Sequence, residues 1–333
     1  MKFRFELEVK KLATPITHFH KLLLMGSCFT ENIGEKLEKT KFTILQNPHG
    51  ILFNPVSVAD ALTDYIEAKR YTPADLFLYN EVWHSWKHHS RLSGITPEEA
   101  LEKINYSIQT AHEFLKQAEF VFITLGSAWT YTLTEKAANA KQGTVAANNH
   151  KAPSDWFFRK LMTMEDVLGV LDNVIHRLFL FNPEVKIIFT VSPVRHLREG
   201  AIENNRSKAV LLSAVHHLVD KFDRLYYFPS YELVIDDLRD YRFYAEDLVH
   251  PNYFATQYVW EKLVGACMDE KTKKLMDEIQ SINIAFQHKA FNASSQEHRK
   301  FLKTFYLKTK ALQEAHPYLN FEKELDYFAT GVA

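Results

Sequence analysis

The sequence predicts a three-layer α/β/α sandwich built on a central parallel sheet of about five strands. Short, wholly apolar runs such as FVFITL and VKIIFTV recur along the chain, and each is followed by a segment with apolar residues at helical spacing. These runs lack the alternation of a strand with one solvated face, so they indicate strands covered by helices on both sides. Repeated strand–helix units connect through right-handed crossovers and give a parallel sheet.

The predicted elements follow one another in strand–helix order from residue 22 onwards. Gly26 ends the first strand, Pro97 lies in the first turn of a long helix, and Asn182-Pro183 ends another helix. Two further segments, 2–10 and 231–235, are predicted to be extended, the first as an edge strand or an arm. Strands are predicted at 22–25, 42–45, 119–126, 185–191 and 225–228, and helices at 31–41, 56–69, 97–117, 164–181, 203–222 and 253–268.

The chain is predicted to contain an α/β domain, 1–268, and a helical C-terminal extension, 269–333. Two stretches of the first domain are interpreted as insertions, one at about 71–95, rich in Trp and His, and one at about 136–154, polar throughout. The extension is charged and helical in pattern up to about residue 315. We expect it to pack on the flank of the sheet or to mediate self-association, which leaves room for a homodimer.

The composition limits the partners and the cellular compartment that can be expected for this protein. Lys and Arg number 40 against 41 Asp and Glu, so the net charge of −1 favours neither a nucleic-acid nor a membrane partner. The only two cysteines, Cys28 and Cys267, exclude a disulfide framework. No apolar run approaches the roughly 18–20 residues of a membrane span, and the first residues lack the core of a signal peptide. A cytoplasmic protein is therefore the expectation.

The stretch LLLMGSCFTENIG, residues 22–34, is the first candidate site. A buried strand ends at Gly26, and Ser27 and Cys28 lie between it and a helix, at the carboxyl edge of the sheet, where open α/β sheets bind ligands. The amides and dipole at a helix N-terminus favour negative charge and lower the pKa of a thiol. This position therefore suits a nucleophile.

The second candidate site is EDLVHPN, residues 246–252. Asp247 and His250 are three residues apart, a spacing that lets the carboxylate contact the imidazole in a turn. The aspartate would then fix the tautomer, and the other ring nitrogen would act as a base. The alternative is an ordinary helix cap, with Asp247 capping and His250 exposed.

Together the two motifs resemble the first and last blocks of the SGNH (GDSL-type) hydrolase superfamily. The first block of that superfamily is approximately G-D-S-h-T-E, which residues 26–31 follow in register. GSCFTE is also similar to the motif that names the GSCFA domain family, a bacterial branch of the superfamily. NPHGILFNP, TLGSAW, SPVRH and DDLRDYRFYAEDLVHPN resemble the same branch, so the resemblance spans roughly residues 20–265. It implies an SGNH/flavodoxin-like fold and an ester hydrolase.

The chain departs from the superfamily at the nucleophile. Cys28 stands at the position of the nucleophilic serine, and Ser27 at that of the aspartate. In one interpretation Cys28 is a thiolate nucleophile activated by His250. In another the turn is shifted and Ser27 attacks. Cys28 is favoured as the nucleophile because the alignment to the superfamily motif then needs no shift. The third alternative is that Cys28 is a buried cysteine with no catalytic role.

The chain also departs at the block G-x-N-D, whose Asn helps to stabilise the oxyanion. The matching segment, Gly126-Ser127-Ala128-Trp129, has Ala128 where the Asn would be. An oxyanion donor is typically worth about 2.7–4 kcal/mol of transition-state stabilisation. The resemblance leaves the backbone amides of Cys28 and Gly50 as donors, with Ser127 or Trp129 as a further one.

Arg195 and His196 follow the fourth predicted strand and are therefore expected at the same edge. Arg195 could bind a carboxylate or phosphate of a substrate, although a solvated loop pair explains both residues too. The His-rich run near Trp83 suggests a metal, but H-E-x-x-H and H-x-H are absent. Neither a metal nor another cofactor is predicted, and G-x-G-x-x-G and the P-loop motif are missing as well.

The sequence therefore predicts an ester hydrolase or deacylase acting on a small acylated substrate, with a carbohydrate as one option for the group that carries the acyl chain. Cys28 or Ser27 would attack, His250 would move the proton, and Asp247 would orient His250. The alternative is a ligand-binding protein that keeps the pocket and has lost efficient catalysis.

Overall fold

A five-stranded sheet, in which every neighbouring pair of strands is parallel, lies at the centre of the fold. The computed structural model describes residues 5–141 and 143–331. The strand order β2–β1–β3–β4–β5 is that of a flavodoxin-like doubly wound sheet, so the predicted fold class is confirmed. The strands are β1 (Lys21–Gly26), β2 (Thr43–Gln46), β3 (Phe120–Leu125), β4 (Lys186–Val191) and β5 (Leu225–Tyr227).

The strand order places the ligand-binding edge. The chain passes from β1 outward to β2 and then returns to β3 on the other side of β1, so the strand order reverses between β1 and β3. In open α/β sheets the crevice at such a switch point, outside the carboxyl ends of the strands, is where ligands bind. The turns after β1 and β3 therefore flank the expected binding crevice.

Helices cover both faces of the sheet and give the three layers. Leu23 and Met25 of β1 pack with α2–α5 on one face, whereas Leu22 and Leu24 pack with α1 and α6 on the other. This two-sided burial explains why the strand has no polar positions. The helices are α1 (Cys28–Lys39), α2 (Pro55–Glu67), α3 (Pro97–Leu115), α4 (Met164–Phe181), α5 (Ala201–Lys221) and α6 (Tyr253–Cys267).

The C-terminal residues are helical and have a core of their own. Helices α7 (Glu270–Gln287), α8 (Gln296–Ala315) and α9 (Glu322–Ala329) bury Ile279, Ile282, Phe321 and Phe328 among themselves. They contact the end of α1 through an ion pair and a backbone contact: Lys41 Nζ lies 2.6 Å from Glu324 Oε1, and Asn283 Nδ2 donates to the Lys39 carbonyl. The division at residues 268/269 and a role in self-association stay predictions.

Two antiparallel hairpins extend from the sheet. One pairs Phe77–Tyr79 with Val82–His84, and the other pairs Trp129–Leu133 with Phe157–Leu161. The stretches interpreted as insertions pack against each other, with the rings of Phe77 and Trp86 stacked 3.8 Å apart next to Ala137 and Ala146. The strand at 157–161 is absent from the predicted elements because most of its side chains are exposed and give no apolar pattern.

Two predictions at the ends of the domain need revision. The extended piece predicted at 231–235 is wrong: residues Ser230–Glu232 and Leu233–Asp237 are helical, and Leu233 N donates to the Pro229 carbonyl. A run this short cannot separate helix from strand by periodicity. Residues 5–10 form no strand and lie as an arm, in which Leu7 N donates to Asp237 Oδ2, while residues 1–4 lie outside the described part. None of the described helices has the length and apolar character of a membrane span.

Candidate active site at the carboxyl edge of the sheet

The turn after β1 requires glycine at position 26. The φ angle of Gly26 is +132°, and a Cβ added there would lie 2.1 Å from the carbonyl oxygen of Thr124. Both the backbone conformation and the close approach of β3 therefore exclude a side chain. Ser27 N donates to the same Thr124 oxygen, which fixes the turn that presents Ser27 and Cys28.

Ser27 and Cys28 differ in accessibility. The side chain of Ser27 is buried, and its Oγ has no hydrogen-bond partner among the described residues, although Ser27 is the N-cap of α1. Cys28 is the first residue of α1 and is partly exposed. Of the two candidate nucleophiles, Cys28 is the one that a substrate can approach.

Burial dominates the pKa of the Cys28 thiol. Desolvation raises this pKa, and the carboxylate of Glu31 raises it further. The backbone N–H groups of Cys28 and Phe29 and the ammonium group of Lys208 act in the opposite direction but do not compensate. The expectation that the helix N-terminus lowers the thiol pKa is therefore wrong in its net sign, because burial outweighs the local amides.

The loop that contains Gly50 is closely packed and hydrogen-bonded within the protein. Gly50 has a φ of +80°, and a Cβ there would lie 2.2 Å from the Cβ of His89. Gly50 N donates to the Asn47 carbonyl, and Asn47 Oδ1 accepts from Gly26 N at 2.9 Å. The Gly50 amide, expected as an oxyanion donor, is thus already used in the loop that supports the β1 turn.

The donors expected after β3 are likewise bonded within the protein. Gly126 N and Ser127 N both donate to the Phe53 carbonyl, at 2.8 and 2.9 Å. Ala128 N donates to Ser207 Oγ, while Trp129 N donates to Ser127 Oγ. The indole N–H of Trp129 donates to the Glu203 carbonyl at 3.3 Å. These groups shape the edge of the site, and no backbone donor of this segment is left free for an oxyanion.

Beneath these turns lies a buried lysine of α5. Lys208 of α5 is 1% exposed, and its Nζ donates to the carbonyl oxygens of Gly126 and Ser192, both at 2.7 Å. Burial lowers the pKa of Lys208 to about 7, against a smaller opposite effect of Cys28. The sequence indicates this burial: Lys208, Leu211 and Val215 have the spacing of one helical face, so a charge lies on the buried side of α5.

Asp247 and His250 form the pair that their spacing predicts. His250 Nδ1 lies 2.6 Å from Asp247 Oδ2, and Val249 N and His250 N both donate to Asp247 Oδ1. These hydrogen bonds from His250 and Val249 lower the pKa of Asp247 to about 2. Both side chains are about half exposed, at 50% and 51%. The carboxylate is therefore ionised over the whole neutral range and orients the imidazole.

The late turn lies at the same sheet edge as the early one. Arg195, which follows β4, donates its backbone N–H to the Val249 carbonyl at 3.4 Å, and its guanidinium lies 4.7 Å from the ring of Tyr244. Arg195 lies four residues beyond the end of β4, so this contact places the late turn on the carboxyl side of the sheet. Among the described residues the His250 imidazole has Asp247 as its hydrogen-bond partner, and no hydrogen bond joins it to Ser27 or Cys28.

A pocket of about 380 Å³ opens beside this crevice. It contains three residues expected at the site, Ser127, Trp129 and His196. The catalytic candidates Ser27, Cys28, Asp247 and His250 do not line it, nor does Arg195, whose guanidinium lies over the ring of Tyr244. Burial lowers the pKa of His196, whose Nε2 lies 3.7 Å from Glu199 Oε2. Its other lining residues are Phe53, Asn54, Tyr131, Ala146, Ala147, Asn148, Asn149, His150, Lys151, Ala152 and Arg198. Over the described ranges no three His, Cys, Asp or Glu side chains converge to hold a metal ion.

Comparison with known proteins gives a family match and distant structural likenesses. The family described as GSCFA matches residues 21–263, and the GSCFA domain protein C-terminal domain matches residues 279–332. A carbohydrate esterase of family 3 from Talaromyces cellulolyticus is 10% identical, with a TM-score of 0.35 over 79% of this chain and 99% of that chain. An acetyl esterase variant with an acetate ion has 9% identity and the same coverage and TM-score.

An acetyl xylan esterase from the rumen bacterium Butyrivibrio proteoclasticus is 10% identical, with a TM-score of 0.35 over 76% of this chain and 64% of that chain. These three likenesses are too distant to indicate an activity. No curated protein matches the sequence.

Proposed function

This chain belongs to the GSCFA family, and since its motifs resemble those of the SGNH hydrolase superfamily, we propose that it is an ester hydrolase or deacylase acting on a small acylated substrate. The observation that carries the proposal is the position of Cys28. It is a partly exposed thiol at the start of α1, at the same sheet edge as the His250–Asp247 pair. A nucleophile, a base and a group that orients the base are the parts that acyl transfer requires.

The reaction has two steps. His250 Nε2 accepts the thiol proton of Cys28 as sulfur attacks the ester carbonyl, and the collapse of the tetrahedral intermediate breaks the C–O bond. The alcohol leaves with the proton from His250, and a thioester remains on Cys28. Water then gives a proton to His250 and attacks the thioester, which releases the acid and restores the thiol. Asp247 keeps the imidazole in the tautomer that presents Nε2.

Movement of the late turn is part of this proposal. The imidazole of His250 is half exposed and bonds only to Asp247 within the described residues. Catalytic hydrogen bonds are often long in unliganded enzymes and tighten when substrate binds. We infer that substrate fills the space between the two turns and brings His250 within reach of the nucleophile.

Accessibility favours Cys28 over Ser27 as the nucleophile. The Ser27 hydroxyl is buried and the Cys28 thiol is partly exposed. The raised pKa of Cys28 means that the thiol needs a base at neutral pH, a task that fits His250. With Ala128 in place of an amide side chain, we expect slow turnover compared with enzymes that have that donor.

The pocket beside the crevice suits a polar ring such as a sugar. Trp129 and Tyr131 supply aromatic surface, while Asn148, Asn149 and Arg198 supply hydrogen-bonding groups around it. A small set of polar groups on an aromatic wall fixes the orientation of a ligand. The acylated group would then project toward Cys28, next to Ser127.

Hydrolysis of short-chain aryl esters and acetylated sugars tests the proposal. We expect Cys28→Ala and His250→Ala to lower the rate by at least about 10²-fold, and Ser27→Ala to have a small effect. His176→Ala is the matched control, because His176 forms a similarly exposed pair with Asp172 on α4, away from the site. Activity that survives His250→Ala excludes the mechanism.

A second candidate is a ligand-binding protein with little catalysis, and the raised pKa of the Cys28 thiol favours it. In that case acetylated sugars would raise the melting temperature of the protein without being hydrolysed. Trp129→Ala would abolish this stabilisation, whereas Cys28→Ala would retain it. Turnover of any of these ligands that depends on Cys28 excludes the binding-protein alternative.

A further inference from the structure

No step of the proposed mechanism uses Arg159 or Arg198, two arginines beside the pocket. Arg159 lies on the second strand of the hairpin that follows β3, directly opposite Tyr131 in the ladder. Arg198 lies in the loop between β4 and α5. Both line a small cavity of about 210 Å³, which shares Tyr131 and Arg198 with the larger pocket. Two cations from separate segments of the chain therefore meet at the wall of the candidate site.

Aromatic rings hold both guanidinium groups in place. The guanidinium carbon of Arg159 lies 4.6 Å from the centre of the Trp129 ring, and that of Arg198 lies 5.1 Å from the centre of the Tyr131 ring. A guanidinium stacked on a ring keeps the N–H donors at its edge available for other partners. Because stacking restricts the side chain in advance, less conformational entropy is lost when a ligand binds to it.

Neither arginine forms an ion pair with a carboxylate among the described residues; each contacts a ring instead. Arg91 and Arg177, by contrast, lie 2.9 and 2.6 Å from the carboxylates of Glu31 and Glu67. Two like charges that line one cavity repel each other, and a negatively charged ligand would relieve that repulsion. The N–H donors of a guanidinium suit the paired oxygens of an oxyanion.

Glu199 is the opposing charge in the small cavity, and Tyr131 binds its carboxylate. The Tyr131 hydroxyl donates to Glu199 Oε1, and the Glu199 side chain is 1% exposed. The other oxygen, Oε2, lies 3.7 Å from His196 Nε2 and has no hydrogen-bond partner among the described residues. Glu199 therefore fixes the ring that Arg198 contacts and offsets one of the two positive charges. With Lys151 on the wall of the larger pocket, positive charge remains in excess.

The larger pocket lies next to the turn that carries the candidate nucleophile. A Cβ added at Gly126 would lie 3.1 Å from the Phe53 ring and 3.4 Å from the Cβ of Ser27. Phe53 and Ser127 line the pocket, and two of its other residues line the small cavity as well. A ligand that fills the pocket therefore lies close both to the nucleophile turn and to the arginines.

We propose that Arg159 and Arg198 form a binding subsite for an oxyanion, a carboxylate or a phosphate, carried by the ligand of this site. The proposal rests on the proposed function and narrows its substrate class to acylated sugars or similar polar rings with a negatively charged group away from the ester. The fork of N–H donors on each guanidinium matches two oxygens of such a group. The subsite binds a part of the substrate that does not react, so it determines specificity.

Calorimetric titration with sugars that carry no ester tests the subsite independently of hydrolysis. Glucose, glucuronate and glucose 6-phosphate share one ring and differ in the group on the exocyclic carbon. We expect at least one anionic sugar to bind about tenfold more tightly than glucose, and added NaCl to reduce this preference. A preference for glucuronate alone identifies a carboxylate subsite, one for glucose 6-phosphate alone a phosphate subsite, and one for both a subsite for either oxyanion. If neither binds more tightly than glucose, the proposal is wrong.

Arg159→Gln and Arg198→Gln should each reduce the affinity for the anionic sugar toward that for glucose. Both side chains are exposed, so we expect the melting temperature to stay near that of the wild type. Arg224→Gln is the matched control, because Arg224 lies 3.7 Å from the centre of the Phe179 ring and directly precedes β5, at the opposite edge of the sheet. It should retain the full preference. A preference that survives in the double variant of Arg159 and Arg198 would overturn the proposal.

Hydrolysis of acetylated forms of the same sugars separates this subsite from the proposed function. If both proposals are correct, the wild type hydrolyses the anionic ester with a lower KM and a similar kcat, and the arginine variants raise that KM. If the anionic sugars bind through the arginines but no ester is hydrolysed, the proposed function is wrong and the subsite is retained. Hydrolysis without any preference for the anionic ester retains the function and excludes the subsite.

Discussion

His250 Nδ1 lies 2.6 Å from Asp247 Oδ2, although both side chains are about half exposed. Exposed pairs rarely hold one geometry by charge alone. Here two backbone amides, of Val249 and His250, donate to the other carboxylate oxygen and fix it. The turn, rather than the ion pair, therefore orients the imidazole.

Asp247→Asn tests this orientation. The amide keeps the size of the side chain but loses the charge and can present an N–H to the ring, which favours the wrong tautomer. We expect ester hydrolysis to fall roughly 10²-fold, with little change in the urea midpoint. Asp172→Asn, in the His176–Asp172 pair, is the control and should leave the rate of ester hydrolysis unchanged. An Asp247→Asn variant with full activity would remove the aspartate from the mechanism.

Gly26→Ala should destabilise the fold. The added Cβ would meet the Thr124 carbonyl at 2.1 Å, and the φ of +132° is unfavourable for any residue with a side chain. We expect the free energy of unfolding to fall by about 3 kcal/mol or more in urea titrations. Gly169→Ala in α4 meets no atom within 4 Å and should instead gain up to about 1 kcal/mol. Equal effects of the two substitutions would contradict this account of the turn.

The Lys41–Glu324 ion pair should couple the C-terminal helices to the end of α1. Glu324 is buried, and one of its carboxylate oxygens has no partner among the described residues. Lys41→Met leaves that charge unpaired, so we expect a loss of about 2 kcal/mol, whereas Lys41→Met with Glu324→Gln should recover part of it. Additive effects in this double-mutant cycle would show that the pair contributes no coupling.

Acid should destabilise the protein through its buried histidines, and His150 is the clearest case. Burial lowers its pKa to about 3, so the folded protein keeps it neutral where the unfolded chain binds a proton. The unfolded state therefore gains protons as pH falls below about 6.5, and stability falls with it. At pH 5 the contribution of His150 is a loss of about 2 kcal/mol.

Urea unfolding at pH 7 and pH 5 measures this loss. His150→Gln should reduce the difference between the two pH values, because Gln binds no proton in either state. His176→Gln, at an exposed position, should leave the difference unchanged. If His150→Gln shows the same pH dependence as the wild type, other groups are responsible for the acid sensitivity.

The sheet could be predicted from the sequence because its strands are buried on both faces. The structure places β3 at Phe120–Leu125 and β4 at Lys186–Val191, within a residue or so of the predicted bounds. Continuous apolar runs of four to eight residues, bounded by Gly or Pro and rich in β-branched and aromatic residues, favour a buried strand over a helix. Segment 231–235 is short and has no Gly or Pro directly at either end. Its prediction as an extended segment was wrong.

The site could be predicted as a set of local motifs, but not as a set of distances. The Asp247–His250 contact follows from spacing within one turn. The burial of Cys28 depends on elements far along the chain, so the sign of its pKa shift could not be predicted locally. Lys208 can be recognised in the sequence as a charge on a buried helix face, but its two carbonyl acceptors follow separate strands and could not be predicted locally.

Mass spectrometry of the protein quenched during turnover of an aryl acetate tests the central claim most directly. The account predicts one acetyl group on the peptide that contains Cys28, present in the wild type and in Ser27→Ala and absent from Cys28→Ala. The label should decay as the ester is consumed. An acetyl group that persists in Cys28→Ala, or turnover with no acetyl group on that peptide, would contradict it.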